Sequence, residues 1–166
     1  STIPNCVSYD PTFAHELAVI VRHGLYRMVE RQENVFYYLT VMNENYAHPG
    51  LKPGDEDGII RGLYRLIEGG KAGTGRGKKP AKAAPRVQLL GSGVILREVI
   101  AAGELLASDW GVAADVWSVP SFTELRRDGL DCERWNLLHP AETAKVPFVS
   151  AQLGAAQGPI IASTDY

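Results

Sequence analysis

The chain has 166 residues, 45% hydrophobic and 22% charged, so it is long enough for one good core or for one domain plus part of another. A formal net charge of −2 gives no overall attraction to nucleic acid or membrane, and no apolar run of about 18 residues could span a bilayer. Cys6 and Cys132 lack metal-binding spacing, so we expect structural thiols in a reducing, cytoplasmic compartment.

The first predicted elements are a helix and a strand. Asp10-Pro11 predicts a helix start with Asp10 as N-cap, and the apolar spacing that follows predicts a helix of about 18 residues. Residues 35 to 42 show no polar alternation and predict a strand buried on both faces of a parallel sheet. A parallel crossover requires an earlier strand, and none is recognisable. We therefore interpret residues 1 to 49 as the tail of a larger α/β domain.

A polar cluster directly follows this strand. It consists of Asn43, Glu44, Asn45, Tyr46 and His48. Ligands of open α/β sheets bind outside the carboxyl ends of the strands, which makes the cluster a candidate site. The alternative is a solvated loop whose polar side chains only end the strand.

The next segment is predicted to be a connection. Asp55 is expected to cap a helix whose apolar stripe extends to Ile67. Residues 69 to 86 contain six cations, no acid and almost no large apolar side chain, which indicates a flexible linker. A phosphate loop is disfavoured because no strand precedes these glycines and no Gly-Lys-Ser/Thr motif follows them.

A second α/β unit is predicted from residue 87 onwards. Residues 87 to 90 indicate a strand, residues 91 to 93 a Gly-Ser-Gly turn, and residues 94 to 108 a helix. We expect the glycines of the turn to allow close packing, although a strand-turn-helix of this kind can also hold an anion.

The remaining elements complete this unit. Residues 111 to 119 predict a second strand, Ser121 and Glu124 a capping box, and residues 159 to 162 a third strand with no covering helix after it. Both units therefore look truncated. We expect their uncovered sheets to pack on each other or to cause self-association.

Four sequence blocks resemble one known family. They read TIPNC-SYDP, QENV-YY-T--NENY, VQLLGSG-ILREV, and S-SFTELRRDGLDCERWN-LHP-E through IASTDY. These blocks are similar to the homodimeric type of pyruvate dehydrogenase E1 component over nearly the whole chain. The resemblance implies a transketolase-like α/β architecture. Residues 1 to 49 would be the tail of a pyrimidine-binding domain, 50 to 86 a connecting helix and flexible basic linker, and 87 to 166 a truncated C-terminal domain with a mostly parallel sheet.

The resemblance also implies an activity for the intact enzyme. It would decarboxylate pyruvate on thiamine diphosphate with a magnesium ion and reductively acetylate the lipoyl group of the E2 dihydrolipoyl acetyltransferase, as a homodimer. Its partners would be a second E1 subunit, E2 and pyruvate, without nucleic acid or membrane. The family's diphosphate and magnesium motif and its pyrimidine-activating glutamate are absent from this sequence. We therefore expect no cofactor or metal ligands in this chain and no activity from it alone.

The resemblance implies three catalytic residues, Tyr9, Glu44 and His48. A phenol, a carboxylate and an imidazole suit a reaction in which a substrate carboxylate needs hydrogen-bond donors and protons exchange near neutral pH. The family often has histidine directly after NENY, where this chain has Ala47. The alternative for Tyr9 is a strand-end tyrosine bonded to the backbone. Surface or packing positions are expected for the other histidines: His15, His23 and His139.

A rival hypothesis belongs to a different functional class. The basic arm, residues 71 to 86, would make the chain a non-catalytic interaction module that docks an acidic partner. Such binding would weaken steeply as ionic strength rises, whereas an inert enzyme fragment would show no salt-dependent partner.

Overall fold

The computed structural model describes residues 3–70 and 85–165. Its first unit is a two-stranded parallel sheet of β1 (Cys6–Tyr9) and β2 (Phe36–Leu39), connected by helix α1 (Ala14–Leu25), which continues into one π-helical turn at Tyr26–Glu30. Most of the predicted linker and of the basic arm lies outside the described residues.

The sequence-based account of where this unit starts was wrong in two respects. A strand does precede α1, because β1 pairs in parallel with β2, and its four residues are too few to show a clear period. Helix α1 begins at Ala14 rather than directly after Asp10. The Glu16 carboxylate provides the N-terminal bond instead, since it accepts from the backbone N–H of Phe13 at 2.9 Å.

Strand β2 is shorter and less buried than predicted. It covers Phe36–Leu39 rather than residues 35 to 42, and one of its faces is open, with Phe36 46% and Tyr38 61% exposed. The predicted burial on both faces is therefore wrong for the part of the molecule that the structure describes. Helix α1 covers only one face of this two-stranded sheet, so the side chains on the other face are open.

The second unit is a four-stranded mixed sheet with the strand order β3-β5-β4-β6. Strands β4, β5 and β6 run parallel and β3 runs antiparallel to β5, which confirms the prediction of a mostly parallel sheet. Its elements are α2 (Asp55–Arg61), β3 (Tyr64–Ile67), β4 (Arg86–Gly91), α3 (Ile95–Trp110), β5 (Ala113–Ser118), α4 (Phe122–Leu138), α5 (Phe148–Leu153) and β6 (Ile160–Ser163).

Strand β3 replaces the second half of a predicted helix. The helix expected to reach Ile67 ends at Arg61, because Gly62 takes a left-handed conformation with φ +94° that stops the helical path. The chain then pairs with β5, from Tyr64 opposite Ser118. The segment predicted to be a connection therefore contributes a strand to the sheet.

The two units share one hydrophobic core, which confirms the prediction that they pack on each other. Side chains of β1 and α1 lie in the same cluster as those of α2, β3, β4, α3 and β5. Buried members from the first unit include Val7, Val19 and Ile20, and those from the second include Ile59 and Val116. Among the described residues no helix is long and apolar enough to cross a membrane.

Candidate functional site

The polar cluster lies in an exposed segment after β2 that has no helix or strand from residue 40 to residue 52. Side chains rather than backbone pairing fix its course. The Tyr46 hydroxyl donates to the carbonyl oxygen of Thr12, and its ring lies 6.3 Å from that of Phe13 at an angle of 63°. Glu44 and His48 sit on either side of this anchor.

Glu44 reaches across to the second unit. Its Oε2 accepts from Nη1 of Arg97, on α3, at 2.6 Å, while its side chain is 65% exposed. The same guanidinium lies 4.6 Å from the centre of the Tyr46 ring. Thus one cation from α3 contacts two members of the cluster.

His48 points back to the start of α1. Its Nδ1 accepts from the backbone N–H of Ala14 at 3.1 Å, so this nitrogen carries no proton in that bond. The ring meets Phe13 edge-on, with centres 6.2 Å apart, and lies 4.5 Å from the ring of Tyr46. His48 therefore satisfies a free backbone donor of the first helical turn, and Nε2 takes no part in that bond.

Tyr9 is held apart from these two residues. Its side chain is buried, and its hydroxyl donates to the carbonyl oxygen of Ile60 at 2.6 Å. Burial, with the nearby charge of Glu124 second, raises the pKa of the Tyr9 phenol well above its usual range, so the group stays neutral. This is the strand-end tyrosine bonded to backbone that was the alternative interpretation. No contact in the described ranges joins Tyr9 to Glu44 or His48.

A cleft of about 490 Å³ lies at the carboxyl ends of β1, β2, β4 and β5. Asp10 is its one charged lining residue: Oδ1 accepts from the Thr40 hydroxyl, while Oδ2 is shielded from solvent and has no hydrogen-bond partner among the described residues. The lining residues are Cys6, Ser8, Tyr9, Asp10, Tyr38, Thr40, Ser92, Val119, Pro120, Ser121, Phe122 and Thr123.

The Gly-Ser-Gly turn is filled by the protein's own carboxylate. A Cβ atom at Gly93 would lie 2.7 Å from Oδ2 of Asp10, and one at Gly91 would lie 2.9 Å from Cα of Leu96. The backbone N–H of Gly93 donates to the Asp10 carbonyl at 3.1 Å. These contacts confirm that the turn uses glycine for close packing, and they place the Asp10 carboxylate, which disfavours a bound anion, against Gly93.

A second pocket, of about 460 Å³, lies beside the polar segment. Its walls are mainly apolar, and Lys52 and Arg97 are its charged members. Nζ of Lys52 donates to the Leu66 carbonyl at 2.8 Å and Arg97 is paired with Glu44, so both cations already have partners.

Sequence reasoning missed a buried carboxylate, Glu16. Its Oε2 accepts from the backbone N–H groups of Thr12 and Phe13 at 2.6 and 2.9 Å, and its Oε1 accepts from the hydroxyls of Tyr64 and Ser118 at 2.7 and 2.5 Å. Burial, and next the charge of Glu16, strongly raise the pKa of Tyr64. The local signal was weak, an acidic residue in the first helical turn, because Phe13 has no side-chain oxygen to complete a capping box.

His15 belongs to the same network. Nε2 lies 3.0 Å from the Tyr64 hydroxyl and Nδ1 lies 2.9 Å from the carbonyl oxygen of Pro49. His15 is thus a linking residue between α1, β3 and the polar segment. His23 and His139 hold packing positions beside Tyr37 and Trp135.

The cysteines and the potential metal-ligating side chains of the described ranges form neither a disulfide nor a metal-binding group. Cys6 and Cys132 are both buried and free, as expected for structural thiols. No group of three or more His, Cys, Asp or Glu side chains there could hold a metal ion.

Two family models match the chain. Residues 1–49 match the pyruvate dehydrogenase E1 component middle domain, and residues 77–166 match the transketolase-like TK C-terminal domain. A crystal structure of a transketolase variant from Pichia stipitis superposes with a TM-score of 0.53 at 15% identity, covering 99% of this chain and 19% of that one. That likeness shows the fold alone.

Sequence relatives extend over both units. The chain is 58% identical over 166 residues to a pyruvate dehydrogenase E1 component of Pseudomonas aeruginosa and 55% identical over 168 residues to one of Escherichia coli. These alignments cover 100% and 99% of this chain but 18% and 17% of the relatives.

The mixed sheet and the model that matches residues 77–166 define a transketolase-like α/β protein. The chain therefore belongs to the transketolase-like C-terminal domain family, and over its whole length it is similar, at 55% and 58% identity, to pyruvate dehydrogenase E1 components. The resemblance seen in the sequence is confirmed, and the chain spans less than a fifth of the length of these relatives.

Proposed function

We propose that this chain is part of an E1 subunit of the pyruvate dehydrogenase complex. The intact subunit would decarboxylate pyruvate on thiamine diphosphate and reductively acetylate the lipoyl group of E2, as a cytoplasmic homodimer. The observation that carries this proposal is the 58% identity that extends over all 166 residues, through both units and the segment between them.

We assign the proton-handling chemistry of this chain to the polar segment after β2. Oε1 of Glu44 has no hydrogen-bond partner among the described residues, while Oε2 is held by Arg97. In His48, the ring nitrogen Nδ1 accepts from the backbone N–H of Ala14, and Nε2 is likewise without a hydrogen-bond partner among the described residues. A carboxylate and an imidazole held in this way can act as general acid-base groups toward a substrate.

Tyr9 is the third residue of the proposal. Its neutral phenol can act as a hydrogen-bond donor to pyruvate only if it exchanges the Ile60 carbonyl for the substrate. With its present partner, the hydroxyl instead ties the end of β1 to α2.

The described residues do not fit the diphosphate and magnesium parts of the cofactor. They offer no cluster of metal-ligating side chains, and the cleft at the strand ends presents the Asp10 carboxylate, which would repel a diphosphate. Thiamine diphosphate, when bound to the intact enzyme, supplies the electron sink for decarboxylation. We derive no reaction step through it from these residues.

The direct test uses the full-length subunit that contains this sequence. Pyruvate decarboxylation and acetylation of a lipoyl-bearing E2 domain should both be measurable. The variant Glu44→Gln should lower kcat about 100-fold, the lower range expected when a general acid-base group is removed. Ketol transfer between sugars without pyruvate turnover would contradict the proposal.

A calorimetric titration tests the isolated chain. We expect no saturable heat when thiamine diphosphate and magnesium are added to it, because the described residues provide no metal cluster. Saturable binding would show that residues of this chain suffice for the cofactor, and the account of the missing ligands would then be wrong.

A further inference from the structure

We propose that Arg97 positions Glu44 for the reaction. This inference rests on the proposed function, in which Glu44 exchanges a proton with the substrate. Arg97 is the third residue of α3, in the unit that supplies none of the three proposed catalytic residues. Its guanidinium would therefore make the second unit part of the active site.

The polar segment needs such a tether because its backbone gains no order from a sheet or helix. Its last ladder-like bond runs from the N–H of Thr40 to the carbonyl of Tyr9. Beyond it, Tyr46 and His48 are fixed to the start of α1, at Thr12 and Ala14. These contacts hold the far part of the segment but do not contact Glu44.

Among the described residues, Arg97 is the hydrogen-bond partner of Glu44. Nη1 lies 2.6 Å from Oε2, and the guanidinium carbon lies 4.6 Å from the centre of the Tyr46 ring. The planar group thus donates through one edge to the carboxylate while its charge attracts the aromatic ring. Tyr46 is in turn fixed through its hydroxyl to Thr12, so Arg97 itself is restrained.

This arrangement suits proton transfer. Only one oxygen of Glu44 is used by Arg97, and the second oxygen has no partner in the part of the chain that the structure describes. A general acid-base group must be held within hydrogen-bond reach of the reacting atom, and small displacements lower the rate steeply. Arg97 is a positioning residue in this sense, because it acts through Glu44 and not on the substrate.

Two variants of Arg97 in the full-length enzyme test the inference. Arg97→Met removes the charge and the hydrogen bond, and we expect kcat to fall about tenfold with KM for pyruvate changed less than about twofold, because a misplaced group lowers the rate more than binding. Arg97→Lys loses the planar group but keeps the positive charge. We therefore expect it to retain most of the kcat that Arg97→Met loses.

The decisive measurement is a double-mutant cycle. In a Glu44→Gln background, Arg97→Met should lower kcat less than about twofold further, because two residues that act as a unit are non-additive. Independent, multiplicative losses would overturn the role of Arg97 while leaving that of Glu44 intact. Full activity of Glu44→Gln would instead refute the proposed role of Glu44.

The chain offers a matched control. Arg65 is similarly exposed, 46% against 40% for Arg97, and forms an exposed ion pair with Glu68 at 3.5 Å. Arg65→Met should leave kcat unchanged. Equal losses of kcat and equal falls in Tm for Arg65→Met and Arg97→Met would show that general destabilisation causes the effect, and the inference would be wrong.

Discussion

Two glutamate carboxylates in this chain, Glu16 and Glu44, differ in burial and in the number of hydrogen bonds that they accept. Glu16 is fully buried and accepts from four donors, whereas Glu44 is 65% exposed and accepts from one arginine. The first joins the start of α1 to β3 and β5. The second is held in place yet keeps one oxygen available. Burial with full satisfaction favours stability, and exposure with partial satisfaction favours chemistry.

The sharpest test of this contrast is Glu16→Gln in the isolated chain. In the native chain both side-chain oxygens of Glu16 accept hydrogen bonds. Glutamine replaces one of these oxygens with an N–H₂ group, which leaves buried donors unpaired and should lower the free energy of unfolding by about 2–4 kcal/mol. Urea denaturation measures the change. Glu68→Gln, at a side chain that is 67% exposed, should change it by less than about 0.5 kcal/mol.

The contact between Asp10 and Gly93 provides the next test. Gly93→Ala would place a Cβ atom 2.7 Å from Oδ2 of Asp10 at a backbone φ of +50°, so we expect a loss of about 1–3 kcal/mol in the free energy of unfolding. Gly50→Ala, where a Cβ atom meets nothing within 4 Å, is the control. Equal stability of the two variants would contradict the close packing of the turn.

Alkaline pH should weaken the buried network. Because the pKa of Tyr64 is raised in the folded state, the native protein keeps this proton when the unfolded chain loses it near pH 10. Stability should therefore be fully present below about pH 10 and fall as pH rises beyond it. Unfolding free energies between pH 8 and 11 should show a shallower decline for Tyr64→Phe, and an unchanged slope would count against this cause.

The smallest expected effect completes the comparison. Glu44→Gln should change the free energy of unfolding of the isolated chain by less than about 0.5 kcal/mol, because exposed ion pairs contribute little. The same substitution should strongly lower activity of the full-length enzyme. A stability loss as large as that of Glu16→Gln would show that the two carboxylates do not differ in the way proposed.

Much of the second unit was predictable because its elements are long and locally marked. The helix after the Gly-Ser-Gly turn and the cap at Ser121, whose Oγ accepts from the N–H of Glu124 at 3.0 Å, follow from local sequence. Strands β1 and β3 were missed. Each has only four residues, and the apolar positions of β3 continue the stripe of α2, so only the conformation of Gly62 separates them.

The candidate site was only half visible in the sequence. The place of Glu44 after a strand was predicted from the rule for open sheets. Its partner Arg97 lies 53 residues further along, and no local pattern connects the two. The turn of His48 towards the start of α1 likewise depends on packing against Phe13 and Tyr46. Long-range pairing of this kind appears only once the two units are packed together.

The position of β3 has a practical consequence for dividing the molecule. The family models meet the chain at residues 1–49 and 77–166, and β3 lies between them. A piece that begins at residue 77 would expose the edge of β5, and a piece that ends at residue 49 would leave Glu16 without Tyr64. The borders of the family models therefore differ from the borders of the folded unit. Strand β3 lies outside both family models but belongs to the folded sheet.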